Sequence, residues 1–214
     1  MNPIIRSLSL GLSVVALGSA CYRPDGAQKV ISGKEMFRAC SACHGDHGQG
    51  NPSIQAPAIA GLPDWYVEAQ LSKFRTGIRG AHPDDYEGLR MRPMSRQMMN
   101  LEEVNAVTRY VSSLPVQKGE HLIKDGDPKA GQASYATCIA CHGVKGEGNA
   151  ATKGPPLAQM NDWYMLAQLK KFKHGIRGAN PNDTTGATMR AMSAILVDEQ
   201  MMKNVIAYIG TLNP

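Results

Sequence analysis

Two halves of this chain superpose with one constant offset of 98 residues and no gap. GLPDWYVEAQLSKFRTGIRGAHPDD from Gly61 matches QMNDWYMLAQLKKFKHGIRGANPND from Gln159, and MRPMS at Met91 matches MRAMS at Met189. Repeats of about 20 to 50 residues generate solenoids, whereas a unit this long is a whole domain. The repeat therefore predicts two similar globules within the 214 residues. Between them PVQKGEHLIKDGDPKA, Pro115 to Ala130, is polar, charged and free of sustained periodicity. It reads as a linker, dividing the chain into an N-terminal domain over 32–115, a linker over 116–130 and a C-terminal domain over 131–214.

Each half carries the same short motif, CSACH from Cys40 to His44 and CIACH from Cys138 to His142. Two thiols at this spacing can add to the two vinyl groups of one porphyrin, and the adjacent histidine then lies under the iron. Cys40, Cys43, Cys138 and Cys141 are thus the expected thioether sites, His44 and His142 the proximal ligands, and two covalent haem c groups the expected cofactors. Zinc is the rival ligand of such cysteine pairs, but structural zinc sites close over roughly 12 to 20 residues. Here the two pairs lie about a hundred residues apart. A redox dithiol of the thioredoxin kind needs a βαβ pattern that neither flank supplies.

The periodicity is helical throughout, so the expected fold class is all-α. Gly33 and Gly131 open the motif-bearing segments, with Phe37 or Tyr135 one turn before the first cysteine. Asp64 and Asp162 stand as N-caps before WYVEAQLSKF and WYMLAQLKKF. The last helix of the first half begins at Asn100 with Glu103 three residues on, a capping-box spacing, and its counterpart begins at Asp198. First and last helices are expected to pack through Phe37 with Tyr110 and through Tyr135 with Tyr208. A domain of some 82 residues is small for a self-sufficient core, so a buried haem would form part of it.

At the N-terminus one basic residue, Arg6, precedes an apolar run from Leu8 to Leu17 and the small residues Gly18, Ser19 and Ala20. That order over residues 1–21 reads as an export signal, too short and interrupted to span a bilayer comfortably. Export to the bacterial periplasm fits covalent haem, which is installed outside the cytoplasm. ALGSAC also resembles a lipoprotein cleavage site, with Leu17 four residues before Cys21 where that pattern favours three. Acylation of Cys21 would hold the mature protein at a membrane.

A net charge of +5 and a pI near 9.0 raise the question of nucleic acid. Removal of Arg6 and the addition of four haem propionates bring the balance close to zero, and no nucleic-acid module is present. The charge is instead asymmetric: residues 33–114 hold nine Lys/Arg and nine Asp/Glu, residues 131–212 eight and five. Lys170, Lys171, Lys173 and Arg177 concentrate the excess, and are expected to meet a partner's acidic face.

A motif-bearing helix, a methionine-bearing loop and a crossing C-terminal helix resemble the class I cytochromes c. Two in tandem resemble the dihaem cytochrome c4 family over residues 32–214. The resemblance implies two tandem class I cytochrome c domains, each enclosing one haem, with a methionine as second axial ligand. Register against the family favours Met91 and Met189, each 47 residues after its histidine, with Met94 and Met192 as alternatives. Pro93 lies two residues after Met91, whereas Ala191 occupies the equivalent place.

An iron with both axial positions filled changes oxidation state without binding substrate. The expectation is an electron carrier, as shuttle or bound subunit, between a quinol-oxidising membrane complex and a terminal oxidase or reductase. The alternative is a dihaem enzyme, either a peroxidase or a thiosulfate-oxidising cytochrome, which would need an open or cysteine-ligated iron. Among other repeated residues, Trp65, Tyr66, Gln70 and their counterparts Trp163, Tyr164, Gln168 are expected to bond propionates or simply to pack. Arg79 and Arg177 are expected to neutralise propionates or, as the commoner outcome, to stand solvated beside glycine turns, and His47, His82, His121 and His174 read as surface residues. The glycines of HGDHGQG and HGVKGEG read as a flexible loop at the haem edge; no strand precedes them to make a phosphate cradle.

Overall fold

The computed structural model describes residues 31–117 and 121–213. The export segment predicted over 1–21, with Cys21, lies outside the described residues. Each half begins and ends with helices that cross, α1 (Gly33–His44) on α4 (Leu101–Ser113) and α5 (Pro128–Tyr135) on α9 (Glu199–Ile209). Between them stand α2 (Asp64–Thr76) and α3 (Tyr86–Ser95) in the first half. The second half has α6 (Ile139–His142), α7 (Asp162–Lys173) and α8 (Thr184–Ala194). Among the described residues there is no strand, only the isolated bridges Asn51–Ala56 and Asn149–Gly154.

The crossings depend on glycine. A Cβ at Gly33 would sit 2.1 Å from the Ala106 carbonyl oxygen, and one at Gly131 would sit 1.9 Å from that of Asn204. Only a residue without a side chain lets the two backbones approach this closely. The aromatic pairs then close the crossing as predicted, with ring centroids 5.3 Å apart for Phe37–Tyr110 and 5.5 Å for Tyr135–Tyr208. Tilted pairs of this kind contribute about 0.5–1.5 kcal/mol beyond their buried area.

Helix ends differ in detail from the sequence reading. The α1 amides are met by a capping box in which Glu35 N donates to Ser32 Oγ and Ser32 N donates to Glu35 Oε2. Asn100 caps α4 by accepting from Glu103 N at 2.9 Å, but the Glu103 carboxylate accepts from Met99 N, one residue earlier than a capping box requires. Asp64 and Asp162 are not N-caps. They are the first helical residues, behind Pro63 and Asn161, where a carboxylate still favours the positive end of the helix. The second motif helix begins at Pro128, three residues before Gly131, because Asp127 caps it and proline suits the first helical position. It also breaks after Tyr135, so that Cys138 lies in the turn before α6.

The stretch read as linker is tied down from Ile123 onward. Ile123 N donates to Asp162 Oδ2 at 2.8 Å, Asp127 N to Asn204 Oδ1 at 2.9 Å, and Gln200 Nε2 to the Asp125 carbonyl at 2.7 Å. The first half packs Phe37, Leu71, Met98, Val104, Val107 and Val111 into one cluster. The second cluster, built on Tyr135, Met202, Val205, Ile206 and Ile209, also takes in Leu62 and Tyr66 from the first half. The two domains therefore share apolar contact.

Candidate haem sites

His44 ends α1 and His142 ends α6, both buried. His44 Nδ1 lies 2.7 Å from the Pro57 carbonyl oxygen and His142 Nδ1 lies 2.8 Å from that of Pro155, the equivalent position. A carbonyl can only accept, so the proton is on Nδ1 and the Nε2 lone pair is left free for a metal. Burial pushes both imidazoles below the usual histidine range, which keeps them neutral. The ring orientation and tautomer are thus set before any iron arrives.

The glycine-rich loops place those carbonyls. Gly50 N donates to the His44 oxygen, Asn51 and Ala56 exchange backbone bonds, and Ile59 N donates to the Gly48 oxygen. Gly148, Asn149, Gly154, Leu157 and Gly146 repeat the pattern. At Gly50, φ is 87° and a Cβ would meet Ala58 N at 2.5 Å, so glycine is required there. The segment read as a flexible loop is a closed turn whose backbone bonds hold the proline carbonyl over the histidine.

In the first half these residues face a cavity of about 390 Å3. Cys40, Cys43 and His44 form one wall, Met91 and Met94 on α3 another, and Leu71, Phe74, Val107 and Val111 an apolar lining. Burial, with the neighbouring Cys43 adding, pushes the Cys40 thiol up to about 11. In the second half Cys138, Cys141 and His142 sit together around α6, while Met189 and Met192 are half-buried on α8. Among the described residues, no three His, Cys, Asp or Glu side chains gather as a metal cage.

The first cavity is partly walled by the other domain, through Met160, Trp163, Tyr164, Gln168 and Lys171. Arg79 donates to Gln70 Oε1 at 2.8 Å, Tyr164 Oη at 3.0 Å and Gln168 Oε1 at 3.0 Å. Arg177 donates to Gln168 Oε1 at 2.7 Å and to Gln70 Oε1 at 3.0 Å. Both guanidiniums also stack 4.5 Å over a ring of their own half, Phe74 or Phe172. Exchanged roles of this kind are the signature of an approximate two-fold axis. The arginines read as solvated are therefore buried at the domain boundary. Burial, with Tyr164 adding, raises the Tyr66 hydroxyl above the usual tyrosine range.

Ion pairs follow the same exchange. Lys73 Nζ is 2.6 Å from Asp183 Oδ1 and 2.6 Å from Thr185 Oγ1, while Lys171 Nζ is 2.6 Å from Asp85 Oδ1 and also bonds Glu87. Asp85 and Asp183 meanwhile cap α3 and α8 through Gly88 N and Gly186 N. The symmetry fails where the sequences differ: Glu87 faces Lys171 where Thr185 faces Lys73. Asn161 Oδ1 also accepts from Ala58 N at 2.7 Å, a bond that Pro63 and Pro156 cannot return.

This overturns the docking surface expected on the second half. Lys171 and Arg177 are buried, Lys170 bonds Glu199, and Lys173 is spent on the Leu196 and Val197 carbonyls. The four remaining histidines are exposed, as expected. Asp85, Asp183 and Lys73 were not singled out from sequence, and Lys171 was read only as a docking cation. Their signal was the recurrence of matched opposite charges at the repeat spacing.

Two polar atoms of the first cavity's wall are buried without a partner, Arg79 Nε and Trp163 Nε1. Buried donors call for acceptors. The carboxylates of a haem would supply such acceptors, and the apolar lining suits a porphyrin ring, so these residues fit the group.

The cytochrome c family profile matches residues 30–115 and again 128–213. A thiosulfate dehydrogenase electron acceptor from Stutzerimonas stutzeri (strain A1501) is 30% identical over 198 residues, 86% of this chain and 86% of its own. Cytochrome c4 from Azotobacter vinelandii is 25% identical across an alignment of 225 positions that covers 100% of each chain. The crystal structure of reduced recombinant cytochrome c4 from Pseudomonas stutzeri superposes with a TM-score of 0.65 at 25% identity, over 87% of this chain and 100% of that one. The chain belongs to the cytochrome c family, as a tandem, dihaem protein of the cytochrome c4 type. It carries two covalently bound c-type haems and acts in electron transfer with redox-protein partners. No helix among the described residues is long and apolar enough to cross a membrane.

Proposed function

We propose that Cys40, Cys43 and His44 hold one haem and Cys138, Cys141 and His142 the other, with Met91 and Met189 as second axial ligands. The protein then carries single electrons between a quinol-oxidising membrane complex and a terminal oxidase or reductase. The observation that carries this reading is the pair of histidines locked through Nδ1 on equivalent proline carbonyls, at 2.7 and 2.8 Å. Each His–Met haem supplies a one-electron couple whose potential the thioether tends to raise. The chain's own part is to fix the histidine tautomer, exclude water with the apolar lining, and keep both axial positions filled.

Met94 and Met192 are the alternative ligands, since Met94 lines the same cavity as Met91. Met91→Ala and Met189→Ala should each abolish the methionine-to-iron charge-transfer band at one haem and leave the other low-spin. The same loss in Met94→Ala or Met192→Ala instead would move the ligand by one turn.

The 30% identical relative supports a second reading of the donor, a thiosulfate-oxidising enzyme rather than a quinol-oxidising complex. Catalysis by this chain itself would need an open position, as in a peroxidase, or a cysteine-ligated iron, as in a thiosulfate-oxidising cytochrome, and two methionines on α3 face the first cavity. Residues 1–21 would direct export to the periplasm. Acylation of Cys21 would hold the protein at the membrane, and Cys21→Ser should then release it to the soluble fraction with its haem content unchanged.

A further inference from the structure

Helix α3 presents one side to the first haem cavity and another to solvent. Met91, Met94 and Gln97 face the cavity, while Leu89, Arg92, Pro93, Arg96 and Gln97 line an open surface groove of about 380 Å3. A single helix is about 10–12 Å across, so the groove lies one helix away from the site.

The groove is cationic. Arg92 and Arg96 line it, and Arg96 donates to the carbonyl of neighbouring Arg75 at 3.1 Å, while Arg75 donates to the Met98 carbonyl and Arg90, on the cavity side, to the Ile54 carbonyl at 2.7 Å. Carbonyls orient the guanidiniums of Arg75, Arg90 and Arg96 without neutralising them. Among the described residues no carboxylate pairs with these three or with Arg92. The same positions of the second half are Lys173, Thr188, Arg190 and Ala194, and Ile195 and Val197 are exposed beside them. Counting charges made the second half the positive one; burial reverses the order at this face.

Resting on the electron-carrier reading, we propose that this groove docks a redox protein with an acidic face, which exchanges electrons with the first-domain haem across α3. The arginine rim steers the encounter, and the half-open apolar floor of Leu89 and Pro93 seats a protruding side chain. Concavity favours a protein over a flat anionic membrane.

The probe is reduced plant-type ferredoxin, a small acidic iron–sulfur protein, mixed anaerobically with the oxidised dihaem protein by stopped flow. At low ionic strength Arg92→Glu/Arg96→Glu should slow haem reduction at least tenfold, and the deficit should close as salt rises. Arg96→Glu alone should slow it several-fold, which guards against misfolding of the double variant, and Arg92→Lys/Arg96→Lys should stay within twofold of wild type. Lys145→Glu/Arg190→Glu in the second half should also stay within twofold. Equal low-salt rates for wild type and Arg92→Glu/Arg96→Glu, or equal losses from reversal in either half, would overturn the proposal. So would unchanged ferredoxin rates with lost binding to phosphatidylglycerol vesicles, which would assign the groove to a membrane. Reversible one-electron titration of each haem without any partner tests the carrier reading separately, so the two failures are distinguishable.

Discussion

Lys171 Nζ lies 2.6 Å from Asp85 Oδ1, although the two residues are 86 positions apart, and Lys73 stands in the same relation to Asp183. Each pair joins α2 or α7 of one domain to the cap of α3 or α8 in the other. The helices that carry the methionines proposed as axial ligands are thus fixed by the neighbouring domain.

That contact predicts unequal effects of neighbouring lysines. Side chains of Lys171 and Asp85 are only 11% and 4% exposed, so Lys171→Met strands two carboxylates, Asp85 and Glu87. Breaking a buried pair from one side costs about 3–5 kcal/mol. Lys170, paired with Glu199 at the surface, should tolerate the same change with its urea midpoint unmoved. Equal midpoints for the two variants would contradict the buried clamp.

Gly131→Ala tests the helix crossing. Its Cβ would be driven into the Asn204 carbonyl, forcing α5 and α9 apart at a cost of roughly 1–3 kcal/mol or more. Thermal unfolding should show a lowered midpoint, with the methionine-to-iron charge-transfer band of the second haem lost at a lower temperature. An unchanged midpoint would mean the crossing has slack that the 1.9 Å contact denies.

Arg79→Leu tests the electrostatics of the domain boundary. Removing a buried positive charge from the wall of the first cavity stabilises the ferric state, so the first-domain midpoint potential should fall by more than that of the second. A potentiometric titration of the variant reads both. No shift, or an upward one, would show that Arg79 does not face the haem.

Local chemistry was legible in the sequence; contact across the repeat was not. The Cys-x-x-Cys-His motifs and the Asn100 and Asp198 caps depend on residues close in sequence, and the Phe37–Tyr110 and Tyr135–Tyr208 pairs, though distant in sequence, join the first and last helices of a single half, each readable from its own apolar period. Burial of Arg79, Arg177 and Lys171 depends on partners 84 to 107 positions away, which no periodicity encodes. Lys171 therefore read as one more surface cation beside Lys170, and the glycine turn at Arg79 read as solvated. The early start of α5 was hidden because Asp127-Pro128 is as good a linker sequence as a helix cap. Nothing local distinguishes Met91 from Met94, which lie one turn apart on α3 and line one cavity.

The central claim is that both irons are closed, low-spin, one-electron centres. The most direct measurement is a spectroelectrochemical titration of the purified dihaem protein, following the methionine-to-iron charge-transfer band through both midpoints, with and without added cyanide in excess. Two reversible one-electron waves, each erasing half of the band, and no cyanide complex on the timescale of the titration are the predicted result. A high-spin haem, a wave without the methionine band, or rapid cyanide binding at one iron would contradict the account and make that site an enzyme's.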